Sequence, residues 1–219
     1  MASETTDLVA ISGAKGFVGK NLRKFLSQHN VKSISISRNH FNKNKFPSLK
    51  NVTHFVHLAG IGSESITQKF QNINIETTKT VIRLCKKNKI KNIIYLSGLG
   101  VSKNSRSSYF ISKFNAEQLI KNSGLNYTIF RPSYIVGKDD YLTKNISNQM
   151  KKNQVLIPGS GKFILQPISI NDVCSCINIA MNSSKFSNKI IDLVGPIKIS
   201  FEKLIKQSIS HNVKTKKIN

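Results

Sequence analysis

Acidic residues are scarce in this chain: 10 Asp and Glu stand against 34 Lys and Arg in 219 residues, a formal net charge of +24. Cysteine is scarcer still. Cys85, Cys174 and Cys176 are an odd number without C-x-x-C spacing, so no disulfide framework or cysteine metal centre is expected. They read as reduced thiols of an intracellular, cytoplasmic protein. No apolar run approaches the roughly 18 residues of a membrane span, and the opening MASETTDLVA lacks the basic-then-apolar layout of a signal peptide. Finger-type Cys/His spacing and aromatic-basic interleaving are also missing. The lysines are spread along the whole chain among Asn and Ile, so charge alone does not assign a nucleic acid or an anionic membrane surface as partner. Lys214 to Lys217 (KTKK) reads as a short solvated basic tail.

What is present is an alternation of short apolar runs and helical stretches. Leu8–Ser12, Val31–Ser37, Val52–Leu58, Ile90–Ser97 and Leu125–Phe130 read as strands. Helices are expected over Phe17–His29, Ser65–Asn88 and Ser108–Asn122, the last stopped by Gly124. Strands alternating with helices imply a doubly wound α/β fold, a parallel sheet covered on both faces. Beyond residue 138 the pattern loosens into short strands near Val155–Ile157, Phe163–Pro167 and Ile190–Val194. Helices are expected there at Leu142–Lys151, Asn171–Asn182 and Phe201–Ser208. The expected organisation is a core over residues 1–137 with a small C-terminal lobe over 138–219, integrated into one unit.

The first strand runs directly into Gly13-Ala-Lys-Gly16-Phe-Val-Gly19 and then a helix. A glycine-rich turn in that context is a dinucleotide-binding signal. Gly13 allows the tight turn, Gly16 the approach of backbone to pyrophosphate, and Gly19 the close packing of helix on strand. Phe17 and Val18 lie in the same helix start, whose free N–H groups favour phosphate. After the second strand, where an Asp or Glu would bind a ribose 2′-hydroxyl, stand Ser37 and Arg38, and no carboxylate follows until Glu64. A hydroxyl and a guanidinium suit a 2′-phosphate, so NADP(H) is favoured over NAD(H).

Tyr109 and Lys113 form a Y-x-x-x-K pair at i, i+4 on one helix face. A nearby ammonium favours phenolate and equips a tyrosine for proton transfer. Ser97, ending the fourth strand, stands where a hydroxyl could polarise a carbonyl oxygen. His57 reads as a core or near-cofactor histidine; no partner offers metal spacing, and Cys174 and Cys176 point apart on a helix, so no metal is expected. Asp172 reads as a helix-start residue. Lys103 and Arg106 are candidates to meet an anionic substrate or are ordinary solvated cations.

Successive blocks carry a resemblance: GAKGFVG, FVHLAG (55–60), NIETT (74–78), YLSGLG (95–100), SSYFISKFNAEQLIKNSGLNYTIFRPSYIVG (107–137) and FILQPISINDV (163–173). Together they resemble an extended or atypical short-chain dehydrogenase/reductase of the NAD(P)-dependent epimerase/dehydratase type. The subgroup it looks like is that of the nucleotide-binding accessory subunit of respiratory complex I. The resemblance implies a Rossmann core with Leu58, Ala59 and Gly60 on the adenosine side. It implies that Tyr109 and Lys113 hold the nicotinamide ribose, with Lys113 lowering the Tyr109 pKa, and that Pro132 and Ser133 lie beside the ring. Asn74 matches a position that holds a water relay, and Gln166 would border the substrate cavity.

Two departures stand out. Only 13 residues, 39–51, separate Arg38 from the third strand, where many relatives fit an additional βα unit. The C-terminal lobe is short, so a homodimer mate or another protein could complete the pocket. The expected function is an NADP(H)-dependent oxidoreductase or epimerase acting on a carbonyl or sugar-nucleotide-like small molecule. The alternative is a redox-inactive NADPH-binding sensor or assembly scaffold.

Overall fold

The computed structural model describes residues 8–209 and 213–218. Its elements run β1 (Leu8–Ser12), α1 (Phe17–Gln28), β2 (Lys32–Ile36), α2 (Arg38–Asn42), β3 (His54–His57), a π-helical turn (Gln71–Glu76), α3 (Thr77–Lys87), β4 (Asn92–Leu96), α4 (Ser108–Lys121) and β5 (Asn126–Pro132). There follow β6 (Ile135–Val136), α5 (Tyr141–Met150), β7 (Gln154–Pro158), β8 (Ile164–Leu165), β9 (Ile168–Ser169) and α6 (Ile170–Asn182). Last come β10 (Lys189–Leu193), β11 (Ile199–Ser200), α7 (Phe201–Ser208) and β12 (Lys214–Ile218).

Six strands form one sheet in the order β10-β5-β4-β3-β1-β2, with β2 through β5 paired in parallel. The chain moves outward from β1 to β2 and then crosses to β3 on the other side of β1. In an open α/β sheet the crevice at such a reversal, beyond the strands' carboxyl ends, is where ligands bind. β1 is buried almost throughout, because strands covered on both faces need apolar residues at successive positions. Val81, Leu84 and Cys85 of α3 and Ala116 and Ile120 of α4 pack with Ala10, Ile36, Phe55, Ile93 and Ile129 of the sheet. β2 is an edge strand, as the missing βα unit leads one to expect, since ending a sheet there breaks no internal ladder.

The chain divides into two units. One takes the chain up to Pro132 and Cys174–Asp192; the other takes Ser133–Val173 and the chain from Leu193 on. The polypeptide therefore crosses between units three times, where a single cut after residue 137 was expected. The second unit carries three two-stranded pairings, β6 with β9, β7 with β12 and β8 with β11, and a small core of Ile146, Val155, Ile157 and Ile205.

Two local expectations are corrected and one element is added. The helix expected from Ser65 starts only at Gln71, because side chains there bind backbone instead. Ser65 Oγ accepts from the Gln68 N–H (3.2 Å), and the Glu64 carboxylate accepts from the Phe70 N–H (2.8 Å). The stretch after β2 folds a further short helix, α2. The basic tail is a strand: β12 pairs in parallel with β7, Thr215 opposite Val155 and Lys217 opposite Ile157. A backbone ladder needs no buried side chains, so its lysines stay in solvent, and lysine suits an edge.

Candidate active site

The glycine turn is sterically committed. Gly13 has φ +71°, and a Cβ there would fall 2.8 Å from the backbone N of Ala59. A Cβ on Gly19 would sit 2.7 Å from the Ala14 Cα, so α1 can approach β1 this closely only with glycine. No side chain caps α1, and its first turn contains no acidic residue, which leaves the N–H groups of the turn of Phe17, Val18 and Gly19 available. A cradle that a side chain would fill, opening onto uncapped N–H donors, fits a pyrophosphate.

A cleft of about 580 Å³ opens from this turn. It gathers Gly13, Gly16, Ser37, Arg38, Leu58, Ala59 and Gly60, all singled out in the sequence. Among the other lining residues, Phe41 and Asn42 of α2 and Glu76 and Thr80 from the opposite helices were missed by sequence reasoning. Exposed Lys15 also faces the cleft. Ser37 donates its backbone N–H to His40 Nδ1 at 3.1 Å, which anchors the start of α2.

Gly60 joins the cleft to the tyrosine-lysine helix. A Cβ on it would lie 3.2 Å from Asn74 Oδ1 and 3.3 Å from Lys113 Nζ. The buried ammonium of Lys113 donates to the Leu96 carbonyl (3.0 Å) and sits 4.7 Å from the centre of the Tyr95 ring. Burial draws the Lys113 pKa down to about 8, with the Glu117 carboxylate opposing. Tyr109 is half-buried between Phe70 and Phe110, and burial raises its pKa. Burial is the cause that sets the direction at Tyr109, so the lowering expected from Lys113 does not prevail.

Ser97 is corrected more sharply. Its hydroxyl donates to Glu117 Oε1 at 2.5 Å, and both residues are buried. The strand-end residue facing the Tyr109 hydroxyl is Gly98, from which a Cβ would be 3.6 Å from Tyr109 Oη. Successive residues of an extended segment point to opposite sides, so a shift of one position decides which residue faces the site. Glu117 itself is gripped by Arg131, Nε to Oε1 at 2.9 Å and Nη2 to Oε2 at 2.6 Å.

Asn74 is also fully committed. Its Oδ1 accepts from the Ile61 N–H (2.9 Å), and its Nδ2 donates to Ser112 Oγ (2.9 Å) and the Ile61 carbonyl (3.3 Å). Its backbone carbonyl accepts from the Thr78 hydroxyl (2.6 Å). These bonds make Asn74 a clasp between the Gly60 loop and α4. The π-helical turn sets the placement of Asn74 in the interior, and such turns recur at functional sites.

His57 is the hub of a directional chain. Thr78 gives its proton to Asn74, so it accepts from His57 Nε2 (2.9 Å), and His57 Nδ1 accepts from Ser12 Oγ (2.6 Å). Ser12 Oγ accepts in turn from the Ala59 N–H (3.3 Å). Burial, and then the Lys113 charge, hold the His57 pKa at about 3, so the ring is neutral.

Pro132 is buried at the end of β5, its carbonyl accepting from the Leu99 N–H (2.8 Å). Ser133 opens the second unit, where its hydroxyl accepts from the Gln166 N–H (3.3 Å). Gln166 donates its amide to the Gly195 carbonyl (2.8 Å). Lys103 and Arg106 are exposed. Asp172 lies in the first turn of α6, its N–H bound by Ser169 Oγ (3.0 Å). Of the groups missed, Glu117 had a signal: it follows Lys113 by four residues in a chain with few acids. Arg131 and Gly98 had none.

The model of the NAD dependent epimerase/dehydratase family matches residues 9–193. Among curated proteins, the chain is 23% identical over 243 aligned residues to the mitochondrial NADH dehydrogenase [ubiquinone] 1 alpha subcomplex subunit 9 of Dictyostelium discoideum. That alignment covers 99% of this chain and 67% of the relative. It is 26% identical to the Prestalk A differentiation protein A of the same organism, over 60% of this chain and 40% of that protein. The chain thus spans only part of the length of these relatives. Among solved structures, the UDP-glucuronic acid 4-epimerase of Bacillus cereus superposes with a TM-score of 0.77 at 17% identity, covering 97% of this chain and 86% of that one. The dTDP-glucose 4,6-dehydratase of Bacillus anthracis has the same TM-score at 19% identity, covering 97% and 85%.

Proposed function

The chain belongs to the NAD dependent epimerase/dehydratase family, and on that footing we propose that it is an NADP(H)-dependent oxidoreductase or epimerase of the short-chain type. The observation that carries this reading is the cleft running from the Gly13–Gly19 turn to Ser37 and Arg38. Among the described residues no carboxylate pairs with Arg38 in its wall, and Lys15 adds a second cation, with Glu76 on the opposite wall. Two cations and a hydroxyl favour a 2′-phosphate over a bare ribose. The nicotinamide dinucleotide, when bound, supplies the hydride donor or acceptor. Gly13, Gly16, Gly19 and the N–H groups at Phe17 and Val18 would hold its pyrophosphate, with Leu58, Ala59 and Gly60 along the adenosine half.

The chain's own groups then divide the remaining work. Lys113 holds ribose hydroxyls by charge and hydrogen bonding. Tyr109 gives or takes the proton at a substrate oxygen through its Oη. Pro132 borders the nicotinamide. The substrate is a small molecule with a carbonyl or an oxidisable alcohol; a sugar nucleotide fits the names of the relatives. The thiols suit a reducing compartment, the cytoplasm.

Calorimetric titration with NADPH, NADP, NADH and NAD tests the cofactor. NADP(H) should bind at least tenfold more tightly than NAD(H), and Arg38→Ala should erase that difference. Equal affinities would remove the NADP(H) preference, and no binding at all would remove the reading itself. Tyr109→Phe should abolish turnover while leaving cofactor affinity unchanged.

A second reading, a redox-inactive NADPH-binding module within an assembly, is favoured by one observation. Gly98 faces the Tyr109 hydroxyl and Ser97 is turned to Glu117, so neither supplies a hydroxyl beside Tyr109. A broad panel of carbonyl substrates that gives no turnover in a protein binding NADPH would select it.

A further inference from the structure

Glu117 is fully buried and lies one helical turn beyond Lys113 on α4. Its carboxylate is held from two strands at once. Ser97, just past β4, donates to Oε1, while the Arg131 guanidinium of β5 takes both oxygens. A fork of this kind fixes direction as well as distance. The buried stripe of α4 consists of Ser112, Lys113, Ala116, Glu117 and Ile120, so two of its five members carry opposite charge. Burying a charge is costly unless it is paired. Arg131 is only partly buried and keeps access to water. Lys113 is buried and, among the described residues, has no carboxylate within ion-pair distance.

We infer that Glu117 is a positioning residue for the Tyr109–Lys113 pair: its carboxylate ties α4 to the ends of β4 and β5 and keeps Lys113 cationic. The groups facing Lys113 leave it no substitute. Tyr109 on its own helix and Tyr95 on the strand beneath are neutral phenols whose ionisation burial opposes. His57 on β3 is neutral, and Asn74 and Ser112 are uncharged. Arg131 is a cation and so no substitute. Among the described residues, Glu117 is the carboxylate that favours the Lys113 charge. The clasp also explains why Ser97 is turned from the Tyr109 hydroxyl: the charged acceptor outcompetes a neutral one.

The test separates charge from shape. Glu117→Gln keeps the shape and removes the charge; Glu117→Asp keeps the charge and shortens the reach. In the dinucleotide-free protein, the Lys113 Cε signal is followed by NMR against pH, assigned by its loss in Lys113→Arg. Glu117→Gln should lower the Lys113 midpoint by about one pH unit or more, the size expected on losing a nearby opposite charge. Glu117→Asp should leave the midpoint in place while lowering the melting temperature. An unmoved midpoint in Glu117→Gln overturns the proposal. Should that variant fail to fold, the wild type decides through mutual coupling. The Glu117 Cδ signal should step at the Lys113 midpoint, and its absence overturns the proposal equally.

A second measurement rests on the dinucleotide reading. With midpoints about one unit apart around pH 7.5, the charged fraction of Lys113 falls about threefold. NADPH affinity in Glu117→Gln should fall by about that factor at pH 7.5 and return near wild type at pH 6. A shifted Lys113 midpoint in a protein that binds no dinucleotide would sink that reading and leave the Glu117 role intact.

Discussion

Two buried carboxylates, Glu117 in the first unit and Asp140 in the second, answer the loss of water in different ways. Glu117 is met by a cation and a hydroxyl. Asp140 is met only by neutral donors: the Tyr134 hydroxyl (2.7 Å), the Thr143 N–H (2.9 Å) and hydroxyl (2.6 Å), and the Gly137 N–H (3.2 Å). Burial pushes the Asp140 carboxyl up, but these bonds outweigh it and its pKa ends below the usual value. Three of its partners lie within three residues and the fourth within six, so Asp140 caps α5 and closes a local loop. The partners of Glu117 lie 14 and 20 residues away, one on β5 and one just past β4. A local carboxylate stabilises one helix end, whereas a long-range charged one couples elements that together form a site.

The largest expected effect that distinguishes the units comes from acid. The His57 pKa is depressed to about 3 by burial. Below the unfolded value near 6.5 the unfolded chain takes up a proton that the folded ring refuses. Stability should therefore fall by about 1.4 kcal/mol per pH unit between roughly pH 6 and pH 3. All histidines of the described residues lie in the first unit. Amide exchange at falling pH should thus show protection lost first at Ser12, Ala59 and Thr78; simultaneous loss around Asp140 would break the comparison.

Glu117→Ala should cost about 3 kcal/mol, the low end for breaking a buried pair, since Arg131 can turn partly to water. NADPH affinity should fall with it. Asp140→Ala should cost about 2 kcal/mol, for a lost cap and stranded donors, and leave NADPH affinity unchanged. Denaturant melts with calorimetry on both variants check the pair; an Asp140→Ala that weakens NADPH would erase the distinction.

The smallest expected change in stability is at Gly98→Ser. Its Cβ would make ordinary contacts with Tyr109, Phe110 and Val101, so stability should stay within about 0.5 kcal/mol. Under the enzyme reading, the added hydroxyl beside Tyr109 should raise turnover. A variant as inactive as the parent, with NADPH still bound, would favour the module without chemistry.

Much of the first unit was legible in the residues. The apolar run before Gly13, the glycine spacing and the Y-x-x-x-K step are local patterns, and local patterns set strand, turn and helix face. So Gly13, Gly16, Ser37, Arg38, Leu58, Ala59 and Gly60 of the cleft were found, as was the missing strand beyond β2. The second unit was less legible because its strands are only two to five residues long. Pairing β12 with β7 joins segments about 60 residues apart, through backbone groups that every residue possesses, and KTKKI shows no apolar alternation to announce it.

Residue order alone decided the fold class, the turn that fits a pyrophosphate and the helix face shared by Tyr109 and Lys113, because neighbours within four positions meet whatever the rest of the chain does. Tertiary structure decided that Gly98 and not Ser97 faces Tyr109, that Asn74 clasps the Gly60 loop to α4, and that Glu117 answers to Arg131 and Ser97. It also made His57 a neutral link between Ser12, 45 residues before it, and Thr78, 21 after. Those outcomes depend on which buried polar group finds a partner, and the partners are brought together only when the sheet and its helices have closed over them.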